Sequence, residues 1–124
     1  MTQTLVAADV YDRLQTVMAS DPDGFCELYR DYLADARQTL SHLRVLCEEK
    51  SADDLRFKAH YLKSSSLVLG IRPVAELCAE LESAAKVPDL AEAWKSLHKL
   101  AELLNLVQVE LERKLGPQVI PVAA

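Results

Sequence analysis

The sequence predicts an all-α protein, an antiparallel four-helix bundle with an additional short N-terminal helix. Two observations carry this. Apolar residues recur at spacings of three and four in every long segment, and none keeps the alternation of a half-buried strand. The 3 glycines and 5 prolines among 124 residues sit near segment ends, so the stretches between them run unbroken.

The first helix is read from about Leu5 to Met18, with Val10, Leu14, Val17 and Met18 as its apolar side. Asp21-Pro22-Asp23-Gly24 breaks it. The second runs from about Gly24 to Glu49 on the stripe Tyr29, Leu33, Ala36, Leu40, Leu43 and Cys47. Alternating steps of four and three suit packing against near-parallel neighbours. Ser51 is the expected N-cap of the third helix, and Asp53 and Asp54 favour the positive end of its dipole. Gly70 closes that helix and Pro73 stands where the fourth begins. The fourth buries Val74, Leu77, Cys78, Leu81 and Ala85 and ends before Pro88. Asp89 with Glu92 forms a capping-box pattern at the start of the last helix. Its stripe is Leu90, Ala93, Trp94, Leu97, Leu100, Ala101, Leu104, Val107, Leu111 and Leu115, and Gly116-Pro117 stops it. Four long amphipathic helices joined by short turns fold as an antiparallel bundle. One domain over residues 1–116 and a loose tail over 117–124 are expected.

Bulk properties narrow the function. Half the residues are hydrophobic and 27% are charged, an ordinary balance for a globular domain that buries a real core. The net charge of −5, with no basic block, argues against nucleic acid as a partner. No apolar run reaches the roughly 18 residues needed to span a bilayer. The first ten residues lack the basic and apolar regions of a secretory signal, so a cytoplasmic location is expected. Cys26, Cys47 and Cys78 are far apart without metal-ligand spacing, and Cys47 and Cys78 fall on apolar stripes and read as small buried hydrophobes. No metal site or bound cofactor of the chain's own is expected, since it has no Gly-rich phosphate loop and no acidic cluster for Mg²⁺.

One histidine stands apart. On the third helix Leu55, Ala59, Leu62, Ser66 and Leu69 form a single stripe, and at about 100° per residue His60 points nearly opposite it. Arg56, Lys63 and Ser64 lie one turn away. An imidazole is thus offered to solvent on a rigid helix, beside an ammonium and a hydroxyl. A neutral imidazole is already a nucleophile near neutral pH and needs no general base. A phosphoryl group added to it brings about two negative charges, which Lys63 can meet as a point charge. Ser64 can donate a hydrogen bond.

The run His60-Tyr61-Leu62-Lys63-Ser64-Ser65-Ser66-Leu67-Val68-Leu69-Gly70 resembles the signature of histidine-containing phosphotransfer (HPt) domains of multistep phosphorelays. That family has a His, a Leu two on, a Lys three on, small residues and a Leu-Gly ending. Residues 71–82 are similar to its following helix, and the four-helix layout extends the likeness to most of the chain. The resemblance implies a phosphorelay intermediate, phosphorylated on His60 by a receiver-domain aspartate, that passes the group to another receiver. It implies a carrier without autonomous kinase or phosphatase activity, with Mg²⁺ on the partner receiver domain. Response regulators and hybrid histidine kinases would supply those receivers, and a monomer is expected. The sequence departs from the family at Ser64, where Gly is common, and at Leu67, where small residues are common.

Phe57, Leu67 and Val68 share the His60 side of the helix and, with Arg56, form a candidate docking edge. The alternative is that the short N-terminal helix covers part of that edge. A rival function is a non-phosphorylated helical module that binds or sequesters a receiver, with His60 unused. His42 and His98 lack such neighbours and read as solvated. Glu80, Glu82, Glu110 and Glu112 read as solvated faces, Ser65 and Ser66 as small packing residues, and Trp94 as core.

Overall fold

The computed structural model describes residues 4–121. Five helices follow in order: α1 Ala8–Val17, α2 Pro22–Glu48, α3 Ala52–Val68, α4 Arg72–Ala84 and α5 Ala91–Leu115. α2 packs on α3 and α5, and α4 packs on the same two, so the four long helices form a closed ring around one core. The expected stripes build that core. Tyr29, Leu33, Leu43, Leu55, Leu62, Leu81, Leu97, Leu100, Leu104 and Leu111 are its largest fully enclosed side chains together with Ile71 and Val6. All three cysteines are buried and free. Truncating one such leucine to alanine in a packed interior costs about 2–5 kcal/mol.

The turns show why the helices stop where they do. α3 ends in a Schellman motif: Ile71 N–H donates to Ser66 O at 2.8 Å and Gly70 N–H to Leu67 O at 3.2 Å. Gly70 has φ of +75°, and a Cβ there would meet Val10 Cβ at 2.8 Å, so both backbone and space demand glycine. α2 begins earlier than expected. Asp21 is its N-cap, accepting from Gly24 N–H at 3.0 Å, and Pro22 occupies the first turn. The Asp-Pro-Asp-Gly segment is therefore a cap with a helix start, because proline's missing N–H costs nothing there.

Two expected caps do not form. Ser51 stands at the N-cap of α3 but its side chain makes no capping bond. Asp89 accepts from Ala91 N–H at 3.1 Å, while Glu92 turns to Lys95 at 3.0 Å and leaves the capping box open. Trp94 is also corrected. The residue is 42% exposed, while Ala93 and Leu97 on the same helix are buried.

The N-terminal element differs most. α1 is shorter than expected; Tyr11 is its fully buried residue, while Leu14 and Met18 of the expected side pack half-buried against the core. Val17 is 74% exposed. Tyr11 sits in an aromatic cluster, 5.1 Å from Phe25 and 5.7 Å from Tyr29 between ring centroids. Ahead of α1, Leu5 and Val6 are buried in non-helical chain, and their amides donate to the Glu110 carboxylate at 2.9 and 2.7 Å. Ala7 N–H donates to Gly70 O at 2.9 Å. Glu110 is thus no solvated residue. It is a buried acceptor that ties the N-terminal segment to α5 across the end of the bundle. The expected loose tail is likewise in place as far as Val119, the fully buried last residue of a 3₁₀ turn at Pro117–Val119. Residues 122–124 of that tail lie outside the described residues. No helix among the described residues is long and apolar enough to cross a membrane.

Glu110→Ala leaves two buried N–H groups without their acceptor and is expected to cost about 2 kcal/mol in chemical denaturation. Hydrogen exchange at Leu5 and Val6 should accelerate in the same variant. A change below about 0.5 kcal/mol would show that the tie is dispensable.

Candidate functional site

α3 carries the candidate residues, and its packing sets their direction. Leu55, Ala59, Leu62 and Ser66 are fully enclosed against the neighbouring helices. Ser66 Oγ donates to Leu62 O at 2.7 Å and lies 2.7 Å from Tyr32 Oη, so the small residue meets α2 closely with no polar atom unpaired. Tyr29 Oη reaches Leu69 O at 3.2 Å and holds the end of the same helix. With that face fixed, His60 emerges on the opposite side, its side chain 62% exposed.

The imidazole is not free in its orientation. Nδ1 lies 3.0 Å from Glu82 Oε1 on α4. An ionised carboxylate only accepts, so Nδ1 carries the proton and donates it. The lone pair is then on Nε2, at the outer end of the ring. Lys63 Nζ donates to the same carboxylate at 3.1 Å. Glu82 therefore bridges the histidine and the lysine across the α3–α4 seam, with its side chain only 19% exposed and that of Lys63 25%. A carboxylate that accepts from an imidazole holds its tautomer and its ring plane.

Arg56, Phe57, His60, Glu82 and Lys86 line a cleft of about 520 Å³ together with Asp53 and Asp54. Arg56 leans 3.4 Å from Asp53 at its edge. Beneath the seam Cys78 is buried, and that burial pushes its thiol up to about 12, which makes it inert as a nucleophile. On the far side of α3, Tyr61 Oη donates to Asp35 at 2.7 Å, and this bond raises the phenol above its usual range. Among the described residues no group of three or more His, Cys, Asp or Glu side chains is placed to hold a metal ion.

The residues singled out from sequence come together on one face. His60, Lys63 and Ser64 are adjacent along α3, with Ser64 exposed. Phe57 is 77% exposed, Val68 70% and Leu67 54%; α1 covers none of them. His42 is exposed, and His98 lies 3.4 Å from Glu102 within its own helix, so neither joins the site. Glu82 is the residue that sequence reasoning missed, taken there for part of a solvated face. The signal was present only weakly: Glu82 follows Cys78 by four and Leu81 by one, which places it at the border of the buried α4 stripe.

Comparison with known proteins bears on the family and the fold. A family model described as Hpt domain matches residues 27–110. The crystal structure of histidine-containing phosphotransfer protein B (HptB) from Pseudomonas aeruginosa PAO1 is similar to the chain with a TM-score of 0.83. The likeness covers 92% of this chain and 96% of that one at 24% sequence identity, and it shows a shared fold. No curated protein matches the chain.

Because Phe57 and Val68 touch solvent more than core, Phe57→Ala and Val68→Ser are each expected to change unfolding free energy by less than about 0.5 kcal/mol. Urea denaturation checks this. A loss of several kcal/mol would mean that these side chains support the fold.

Proposed function

The chain belongs to the Hpt domain family, and from that premise we propose that His60 accepts a phosphoryl group from a receiver-domain aspartate and hands it to another receiver. The observation that carries this reading is the half-fixed imidazole. Nδ1 is engaged by Glu82 at 3.0 Å, and Nε2 is the nitrogen left for the incoming group. The Nε2 lone pair attacks phosphorus, the bond from phosphorus to the aspartyl oxygen breaks, and the aspartate leaves as a carboxylate. No proton has to be removed first, so the site needs no general base of its own.

Lys63 stands within reach of the new phosphoryl oxygens and offsets their charge. Ser64 is small enough to let the partner's active site approach, and adds a hydroxyl donor. Phe57, Leu67 and Val68, with Arg56, provide the surface on which the partner rests, an apolar patch with a charged edge. The Mg²⁺ that the transfer requires belongs to the receiver in this reading. In this reading the chain acts as a monomeric cytoplasmic carrier. The bulk of the catalysis arrives with the partner, which holds the metal and the leaving group.

His60→Gln should abolish phosphate acceptance from a phosphorylated receiver while helix content by circular dichroism stays unchanged. The phosphate on the wild-type chain should be acid-labile and base-stable. Labelling that persists in His60→Gln would refute the assignment. Wild-type binding to the receiver with no labelling at all would favour the non-phosphorylated binding module instead. Lys63→Ala is expected to slow acceptance by about 10-fold or more, the scale of one lost charge-assisted contact of about 1.5–3 kcal/mol. An unchanged rate in a stopped time course would remove Lys63 from the site.

A further inference from the structure

We propose that Glu82 keeps its proton bond to Nδ1 after His60 is phosphorylated, and that this makes the phosphoryl group a rapidly discharged cargo rather than a stored one. The inference rests on the phosphotransfer reading above and concerns what the Glu82 contact does once the phosphoryl group is in place.

The chemistry follows from where the electron pair goes. When Nε2 attacks phosphorus, the ring is left with a proton on Nδ1 and a phosphoryl group on Nε2, so it becomes cationic. In onward transfer an oxygen of the next acceptor bonds to phosphorus. The Nε2–P bond breaks and its electron pair returns to Nε2. If Nδ1 still holds its proton, the ring leaves as neutral imidazole. If that proton has been lost, the ring must leave as an imidazolate anion, a far poorer leaving group. Whatever holds the Nδ1 proton therefore sets how easily the phosphoryl group departs.

Glu82 is built for that task. Its Oε1 is 3.0 Å from Nδ1, and its side chain is 19% exposed, so solvent screens the contact less than on an open surface. An opposite charge at this range favours the charged form of its neighbour. Several other groups face the ring or line its cleft. Arg56 and Lys63 come from α3 and Lys86 from α4. Asp53 and Asp54 come from the start of α3, with Asp53 already engaged by Arg56. Lys63 is the one that competes directly, since it holds the same carboxylate at 3.1 Å. The phosphoryl group offers Lys63 a second, more highly charged partner. Its departure toward that partner frees the carboxylate for the cationic ring. Phosphorylation thus exchanges one ion pair, Lys63 with Glu82, for two: Lys63 with phosphoryl and Glu82 with imidazolium. Glu82 is a positioning residue in this scheme, acting through His60 and touching no phosphoryl oxygen.

The test uses Glu82→Gln. Its amide oxygen still accepts from Nδ1, so ring orientation is kept and only the charge is removed. Wild type and variant are phosphorylated chemically with potassium phosphoramidate, which requires no receiver, and loss of the N–P signal is followed by ³¹P NMR from pH 5 to 10. In the wild type, discharge should continue to higher pH. In Glu82→Gln the midpoint of the profile should fall by about one pH unit or more, the effect of removing an opposite charge at this distance. Above that midpoint the variant should lose phosphate about tenfold more slowly. Glu82→Asp, which restores the charge, should return the profile toward the wild type. Superimposable wild-type and Glu82→Gln profiles would overturn the proposal, as would ¹⁵N NMR of the unphosphorylated protein with the His60 proton on Nε2. Phosphoramidate labelling without labelling from any phosphorylated receiver would sink the relay reading and leave this test intact.

Discussion

Burial of Leu55, Ala59, Leu62 and Ser66 sets the rotation of α3 about its own axis, and the rest of the site depends on that rotation. A helix has one degree of freedom that packing can lock without altering its backbone, and four enclosed side chains on one stripe lock it. Turning α3 by one residue would require about 100° of rotation and would drive charged side chains into the core. His60, Phe57 and Leu67 are exposed together for the same reason. None has to be held out individually, because the opposite face is held in.

The second constraint is the seam with α4. α3 and α4 are joined by three residues, Leu69, Gly70 and Ile71, so the two helices run side by side for their whole length. The turn is tight because Gly70 takes a left-handed conformation and Ile71 plugs into the core directly after it. That hairpin puts Glu82, 22 positions away in the chain, against His60. The carboxylate then does in one place what two helices make possible. From its place on α4 it fixes the tautomer of His60 and the ammonium of Lys63, both on α3.

The N-terminal segment closes the same end of the hairpin. Ala7 bonds to Gly70, Arg72 pairs with Asp9 at 3.2 Å, and Glu110 receives the amides of Leu5 and Val6. The Arg72 guanidinium holds the Asp9 carboxyl below its usual range. α1 therefore rests against the Gly70 end of α3, away from the cleft, and Phe57, Leu67 and Val68 stay exposed. An element that looked like a cover for the docking edge is a clasp on the bundle end.

Helices, their order and the outward face of His60 were legible in the sequence, since each depends on the local period of apolar residues and on glycine and proline at the turns. Leu55 to Ser66 define a face whatever they pack against, so the exposure of His60 could be read directly. The motif around His60 added the chemistry to that geometry. What the period alone could not decide were contacts made between elements. Glu82 and Glu110 look like solvated glutamates in their own helices, because a glutamate's role depends on what stands opposite it. Trp94 and Val17 lie on predicted apolar stripes, yet both stay exposed once the bundle is packed. Tertiary structure decided these cases for one physical reason: local sequence sets which way a side chain points, and only packing sets what it meets there.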